Sequence, residues 1–242
     1  MANIVHPANA RRAVFADDSR AMAISVIVSY DGTTNDDDAL ALGRQLAAAG
    51  VSLSLAYVRH SREYDPRREE IGEYDAVRRL DQGAAWLREP DITRHVVIDP
   101  STSAGLARLA AEADAGLILF GSDYRTTPGR AEPGGTAQGL LEGGSVAIGV
   151  AQAGLRTHAA EPIRTVSAAG DPGGPAEQTA QSLAAALSAE IVAGTSPADL
   201  IVADSQSNAP EGRIALGGST RARLEAARGS VIVLPRGTAL SF

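Results

Sequence analysis

Residues 117–150 read LILFGSDYRTTPGRAEPGGTAQGLLEGGSVAIGV. Leu117, Ile118, Leu119 and Phe120 make a short, wholly apolar run, as expected of a strand buried on both faces in the middle of a parallel sheet. A glycine-rich loop from Gly121 to Gly135 follows, then a short helix over Thr136–Glu142 and a further strand over Ser145–Val150. A strand, a loop, a helix and a strand in this order form one unit of a parallel α/β sheet.

Upstream the alternation continues. Ile24–Val28 is a β-branched run that stops at Tyr30-Asp31-Gly32. Asp36, Asp37 and Asp38 follow, where a helix N-terminus favours negative charge, and the helix over Ala39–Ala49 stops at Gly50. Val51–Val58 is a second strand. Residues 59–81 are heavily charged, and Ile71, Val77, Leu80, Ala84 and Leu87 recur at near-helical spacing. This reads as a loop and then an amphipathic helix ending near Arg88, with the charge run as its solvated face. His95–Ile98 is a third strand. Asp99-Pro100-Ser101-Thr102-Ser103 supplies N-cap chemistry for a helix through about Ala113.

Downstream, residues 152–161 read as a linker, and then the pattern restarts. Ile163–Ser167 is a strand, Gly170 to Pro175 a turn, and Ala176–Ser188 a helix with Pro175 in its first turn. Glu190–Ala193 and Leu200–Ala203 are strands, Ser219–Arg228 a helix behind Gly212, Gly217 and Gly218, and Ser230–Leu234 the last strand. The halves match in order. Residues 44–49 (RQLAAA) echo 181–186 (QSLAAA), and Asp114–Asp123 echoes Ala198–Ser205. Gly134-Gly135-Thr136 echoes Gly217-Gly218-Ser219-Thr220, and Gly144–Ile148 echoes Gly229–Val233. The second half lacks one strand-plus-helix pair and its charged loop, between Ala193 and Ser196. The expected organisation is an N-terminal arm over 1–22, a first domain over 23–151, a linker over 152–161 and a shortened second domain over 162–242.

Composition narrows the function. The 242 residues are 44% hydrophobic and 21% charged, ordinary globular usage that excludes a disordered chain. No apolar run reaches the roughly 18 residues of a membrane span, and residues 1–22 have no apolar stretch that would make them a secretory signal. A net charge of −7 and 4% aromatics argue against nucleic-acid binding, by phosphate attraction or by base stacking. Cysteine is absent, which removes disulfides and thiolate chemistry and fits a cytoplasmic protein. Every one of the 22 basic residues is Arg, so Schiff-base and P-loop lysine chemistry are excluded. Together with abundant Ala and Gly, the missing lysine suggests a GC-rich bacterial genome. His6, His60, His95 and His158 are scattered without ligand spacing, His95 reads as structural, and no metal site is expected. Neither a nucleophile elbow nor a Ser/His/Asp set appears.

The ordered set of motifs resembles the universal stress protein family in a tandem two-domain form. Val28-Ser29-Tyr30-Asp31-Gly32 is similar to the family's first strand with its Asp, and Leu117–Val150 to its strand, glycine loop, short helix and final Val-rich strand. The resemblance covers about residues 23–235. It implies an α/β fold of two Rossmann-like parallel-sheet domains of the adenine-nucleotide α-hydrolase-like type, in tandem, the second shortened. It also implies ATP or another adenine nucleotide as ligand, with Asp31 at adenine or ribose, Gly121, Gly134, Gly135 and Thr136 at the phosphates, and Gly32, Val58 and Ser122 among the residues that bind it. Gly218 and Ser219 would be the second domain's counterparts. Glycines let backbone N–H groups approach phosphate oxygens, and a hydroxyl at a helix start adds a donor. The sequence departs from the family pattern where Tyr124 replaces the second glycine, where Asp123 adds charge beside the phosphates, and where Ala203 and Asp204 replace the second domain's first glycine.

For each residue a plain structural reading stands beside the functional one. Asp31 holds adenine or ribose, or caps a turn. Gly134, Gly135 and Thr136 bind phosphate, or build a helix start. Asp36–Asp38 read as helix-dipole complementation. Three functions remain open: a non-catalytic stress-response or regulatory protein, at most a slow ATPase; an ATP-using enzyme; and a nucleotide-independent scaffold or metabolite sensor acting through protein partners. The resemblance implies that Val146–Val150 faces Val231–Leu234 in an internal pseudo-dimer. The missing elements would leave a face for a homodimer or another protein.

Overall fold

Val26, Ile27 and Val28 are fully buried in succession, which requires that the strand they form, Ser25–Ser29 (β1), be covered on both faces. The computed structural model describes residues 23–193, 197–226 and 228–242. The arm expected over 1–22 lies outside the described residues. From β1 the chain runs through the helix Thr34–Ala47 (α1), the strand Ser52–Arg59 (β2), Pro66–Leu87 (α2), Thr93–Ile98 (β3), Thr102–Glu112 (α3), Ala115–Phe120 (β4), Gly135–Leu141 (α4) and Ala147–Val150 (β5). A short 3-10 turn over Leu155–His158 leads to Thr165–Ala169 (β6), Pro175–Leu187 (α5), Glu190–Val192 (β7), Leu200–Asp204 (β8), Gly218–Ala226 (α6) and Ser230–Leu234 (β9).

Among the described residues nine strands form one sheet in the order β3-β2-β1-β4-β5-β9-β8-β6-β7. Every pairing is parallel except that of β5 with β9, where Ile148, Gly149 and Val150 oppose Val233, Ile232 and Val231. Alternation along each strand divides the apolar residues between the faces. Val26, Val28, Leu117, Leu119, Ile232 and Leu234 pack beneath α1, α2 and α5. Ile27, Ile118, Phe120, Ile148, Val231 and Val233 pack with α3 and α4 on the other face.

Three expectations need correction. The charged stretch is helical from Pro66, five residues before Ile71, because Asp65 caps it by accepting from the Arg67 N–H at 2.9 Å and Pro66 suits the first turn. Its buried stripe is Ala76, Leu80, Gly83, Ala84 and Leu87; Ile71 and Val77 fall off that phase and stay exposed. Among the described residues nothing after β5 corresponds to α2, β3 and α3, a strand with two helices, and β8 is the next element described after β7. Asp36–Asp38 do more than complement a helix dipole. The fully buried Asp38 carboxylate accepts from the Gly154 N–H (2.9 Å), the Arg156 N–H (2.8 Å) and the Arg156 guanidinium (2.7 Å), so it fastens the linker to α1.

Candidate functional site

The chain moves outward from β1 to β2 and β3, then returns to β4 on the other side of β1. Such a reversal opens a crevice at the carboxyl ends of the strands, the usual ligand position in open α/β sheets. Here the crevice is about 400 Å³. Tyr30 and Asp31 enter it from the end of β1, Ala56, Tyr57, Val58 and His60 from β2, Phe120 and Gly121 from β4, Thr102 from α3, Arg79 from α2, and Gly134–Ala137 from the start of α4.

Six residues singled out from the sequence meet there: Asp31, Val58, Gly121, Gly134, Gly135 and Thr136. Asp31 is exposed. Its Oδ1 accepts from the Thr33 N–H at 3.0 Å, and its own N–H donates to Asp36 Oδ2 at 3.0 Å, so turn-capping fixes the loop. Gly134 is the N-cap of α4, and nothing stands within 4 Å of where a Cβ would be on Gly134 or Gly135. The first N–H groups of a helix lack partners inside it, so this segment brings free backbone donors to the crevice wall. The Thr136 carbonyl accepts from Ser103 Oγ at 3.0 Å, which ties α4 to α3. Gly121 has a structural reason of its own: a Cβ there would lie 2.0 Å from the Asn35 carbonyl oxygen, so only glycine lets the first turn of α1 approach β4.

Three of the other four named residues lie elsewhere. Gly32, at φ 90°, makes the turn beside the crevice without lining it. Ser122 is buried; its Oγ donates to the Ala151 carbonyl at 2.7 Å and accepts from the Glu132 N–H at 3.1 Å. That hydroxyl holds the loop together and is turned away from the crevice. Gly218 opens α6 and lines no part of the crevice; the Ser219 side chain lies outside the described residues. In the second half Asp204 sits at the start of α5, accepting from the Ala176 N–H at 2.8 Å. A Cβ on Gly170 would lie 2.1 Å from this carboxylate, which therefore fills the space an anion would need. Burial raises its pKa.

The two departures expected to close the first site do not reach it. Ser122 bridges to Pro133, and the Asp123 N–H donates to the Glu132 carbonyl at 2.8 Å, so the loop zips shut on itself. Tyr124 is carried into solvent, 72% exposed, with the Arg125 guanidinium 4.9 Å from its ring centre. Neither Asp123 nor Tyr124 lines the crevice.

Sequence reading missed Arg79, Tyr57, His60 and Thr102. Arg79 donates to Tyr57 Oη at 2.8 Å and lies over that ring, at 5.0 Å. Among the described residues it forms no ion pair, so its charge is available to the crevice. In sequence it is one arginine among many in a charge run, and only the phase of α2 marks it out. The acidic side is as distinctive. Burial first, and then Asp31, push the Asp36 carboxyl up to about 7. Burial also raises Asp37, and burial followed by the neighbouring Asp37 and Asp36 carboxylates raises the Tyr30 phenol. His95 is half-buried in β3, and burial lowers its pKa, as a structural histidine requires. Among the described residues no group of His, Asp and Glu could hold a metal ion, and no helix is long and apolar enough to cross a membrane.

The chain matches no protein-family model and no curated protein. Solved structures do resemble it. A universal stress protein from Archaeoglobus fulgidus DSM 4304 superposes at a TM-score of 0.64 and 14% identity, over 88% of this chain and 98% of that one. A protein of Pseudomonas aeruginosa UCBPP-PA14, provisionally assigned to the universal stress proteins, gives 0.58 at 15% identity, over 89% and 94%. A functionally unknown protein from Pseudomonas aeruginosa PAO1 gives 0.56 at 15%, over 89% and 94%. These alignments span nearly the whole of each chain, and at such identities they speak for architecture: the chain has the fold of the universal stress proteins.

Proposed function

We propose that the chain is a regulatory, stress-response type of protein that binds an adenine nucleotide in the crevice between β1, β2 and β4. The convergence of Asp31, Val58, Gly121, Gly134, Gly135 and Thr136 on one cavity at the topological switch point carries this reading. Val58 and Phe120 offer an apolar wall to a base, and Asp31 offers a carboxylate to an amine or ribose hydroxyl. The backbone of Gly134–Ala137 with Arg79 offers donors to phosphate. Among the described residues no hydrogen bond pairs a nucleophile with a base in the crevice, which favours a binding protein, at most a slow ATPase. It also takes residues 23–151 and 162–242 as two units of one kind joined through β5 and β9, in a cytoplasmic protein, with nucleotide bound by the first unit alone.

The test is the nucleotide content of freshly purified, denatured protein by chromatography, followed by calorimetric titration with ATP. Adenine nucleotide retained by the native chain and lost in Asp31→Ala is the expected result. A second reading, a scaffold that works through protein partners without nucleotide, is favoured by the acidity around Asp31, Asp36 and Asp37. No copurifying nucleotide and no heat at millimolar ATP would establish it instead.

A further inference from the structure

We propose that the chain has a second binding site, over the antiparallel seam of the sheet, for a small amphiphilic cation: an amine carrying an aliphatic or aromatic body. The topology creates the space. β5 and β9 each end a series of parallel strands and meet edge to edge. The helices that precede them, α4 and α6, each stay on their own side, have only 7 and 9 residues, and share no substantial packing among the described residues. Between them lies a cavity of about 590 Å³. Small-molecule sites fall in the range of about 300–1,000 Å³.

Its chemistry selects one class of ligand. The floor is Val150, which opposes Val231 across the ladder, and Leu141 and Leu224 form apolar walls. Above them stand four carboxyl groups: Asp123 and Glu132 from the zipped loop, Glu142 at the end of α4, and Glu225 on α6. Arg221 is the one cation in the lining among the described residues. None of the four carboxylates enters an ion pair among the described residues. Asp123 Oδ1 accepts from the Arg125 N–H at 3.0 Å and Glu132 Oε2 from Thr126 Oγ1 at 3.5 Å, which leaves each of them one further oxygen. An apolar floor beneath an acidic rim without ion-pair partners complements an apolar body ending in an ammonium group, and it repels a carboxylate or a phosphate. The crevice of the proposed nucleotide site has a different character, with Arg79 and His60 in its lining. The two cavities share only Gly134 and Gly135, which form the wall between them.

The full chain is titrated with octylammonium and, in parallel, with octanoate, each below its micellar concentration, by calorimetry and by amide NMR. Octylammonium is expected to saturate one site with shifts centred on Val150, Val231 and Leu224, to weaken as salt is added, and to outbind octanoate. Glu142→Gln with Glu225→Gln should weaken octylammonium about five- to tenfold, the scale of two rim charges. Leu216 also lines the cavity, and Leu216→Trp, which fills it, should abolish binding. Should the tryptophan variant fail to fold, the two exposed glutamates carry the test, because neither is part of the core. Equal binding of octanoate, shifts centred on Asp31, affinity indifferent to both sets of variants, or no saturable binding at millimolar concentration would each overturn the site. So would concentration-dependent self-association that protects the Val150 and Val231 amides without any amine, since the occupant would then be a second copy. The outcome is independent of whether ATP binds.

Discussion

Asp36 shows what a single residue contributes beyond its place in a pattern. Its Oδ2 accepts from the Asp31 and Thr33 N–H groups, and Thr33 and Asp36 form a capping box at the start of α1. The carboxyl titrates near 7 in the folded chain and near 3.8 in the unfolded one. Between those values the folded state keeps a proton that the unfolded state has released, so stability falls as pH rises through this window. Below the window both states are protonated and the effect vanishes; above it the loss is complete. Asp36→Asn retains an acceptor oxygen without the charge. Its urea midpoint should therefore decline less than that of the wild type between about pH 5 and about pH 8, and a parallel decline would show that Asp36 is ionised throughout. Asp31 was legible in the sequence because it ends a strand and precedes a glycine. Arg79 was not, because its role depends on Tyr57, 22 positions away in sequence and brought alongside only when α2 packs on β2.

At the scale of elements, the strands were readable to within a residue or two, since a parallel strand buried on both faces is a continuous apolar run. The helix α2 was readable only from Ile71 onward. Its first two turns carry charge on nearly every side, and what identifies them is the cap at Asp65 followed by Pro66. Residues 152–161 were read as a linker from Gly154, His158 and the following Pro162, and that reading hid the segment's attachment. Residues 154–156 are held by the Asp38 carboxylate through three hydrogen bonds. Removing the buried carboxylate leaves two backbone N–H groups and a partly exposed guanidinium without their acceptor, so Asp38→Ala should cost about 2 kcal/mol in chemical denaturation. The Gly154 and Arg156 amides should lose protection in hydrogen exchange, since they donate to that side chain. Unchanged protection would mean that packing of Leu155 alone holds the linker.

For the whole molecule, the seam between β5 and β9 decides the architecture. Each strand would otherwise be an open edge of β-branched residues, a template for pairing with another chain. A fragment of residues 23–161, which keeps the Asp38 clasp and loses β9, should therefore self-associate through β5 in analytical sedimentation. A monomeric fragment with an intact spectrum would argue that the first half needs no partner strand. By itself the sequence determined the parallel α/β class and the order of the elements, because these follow from local apolar periodicity and from turn residues. It also placed Asp31 and the glycines at strand ends and helix starts. Tertiary structure alone decided that Tyr124 leaves the crevice while Arg79 enters it, that Ser122 and Asp204 are occupied within the fold, and that Asp38 clasps the linker. It also decided that a cavity opens over the seam. Each of these depends on where a side chain or loop points once distant segments pack, and a pattern of neighbours along the chain carries no such direction.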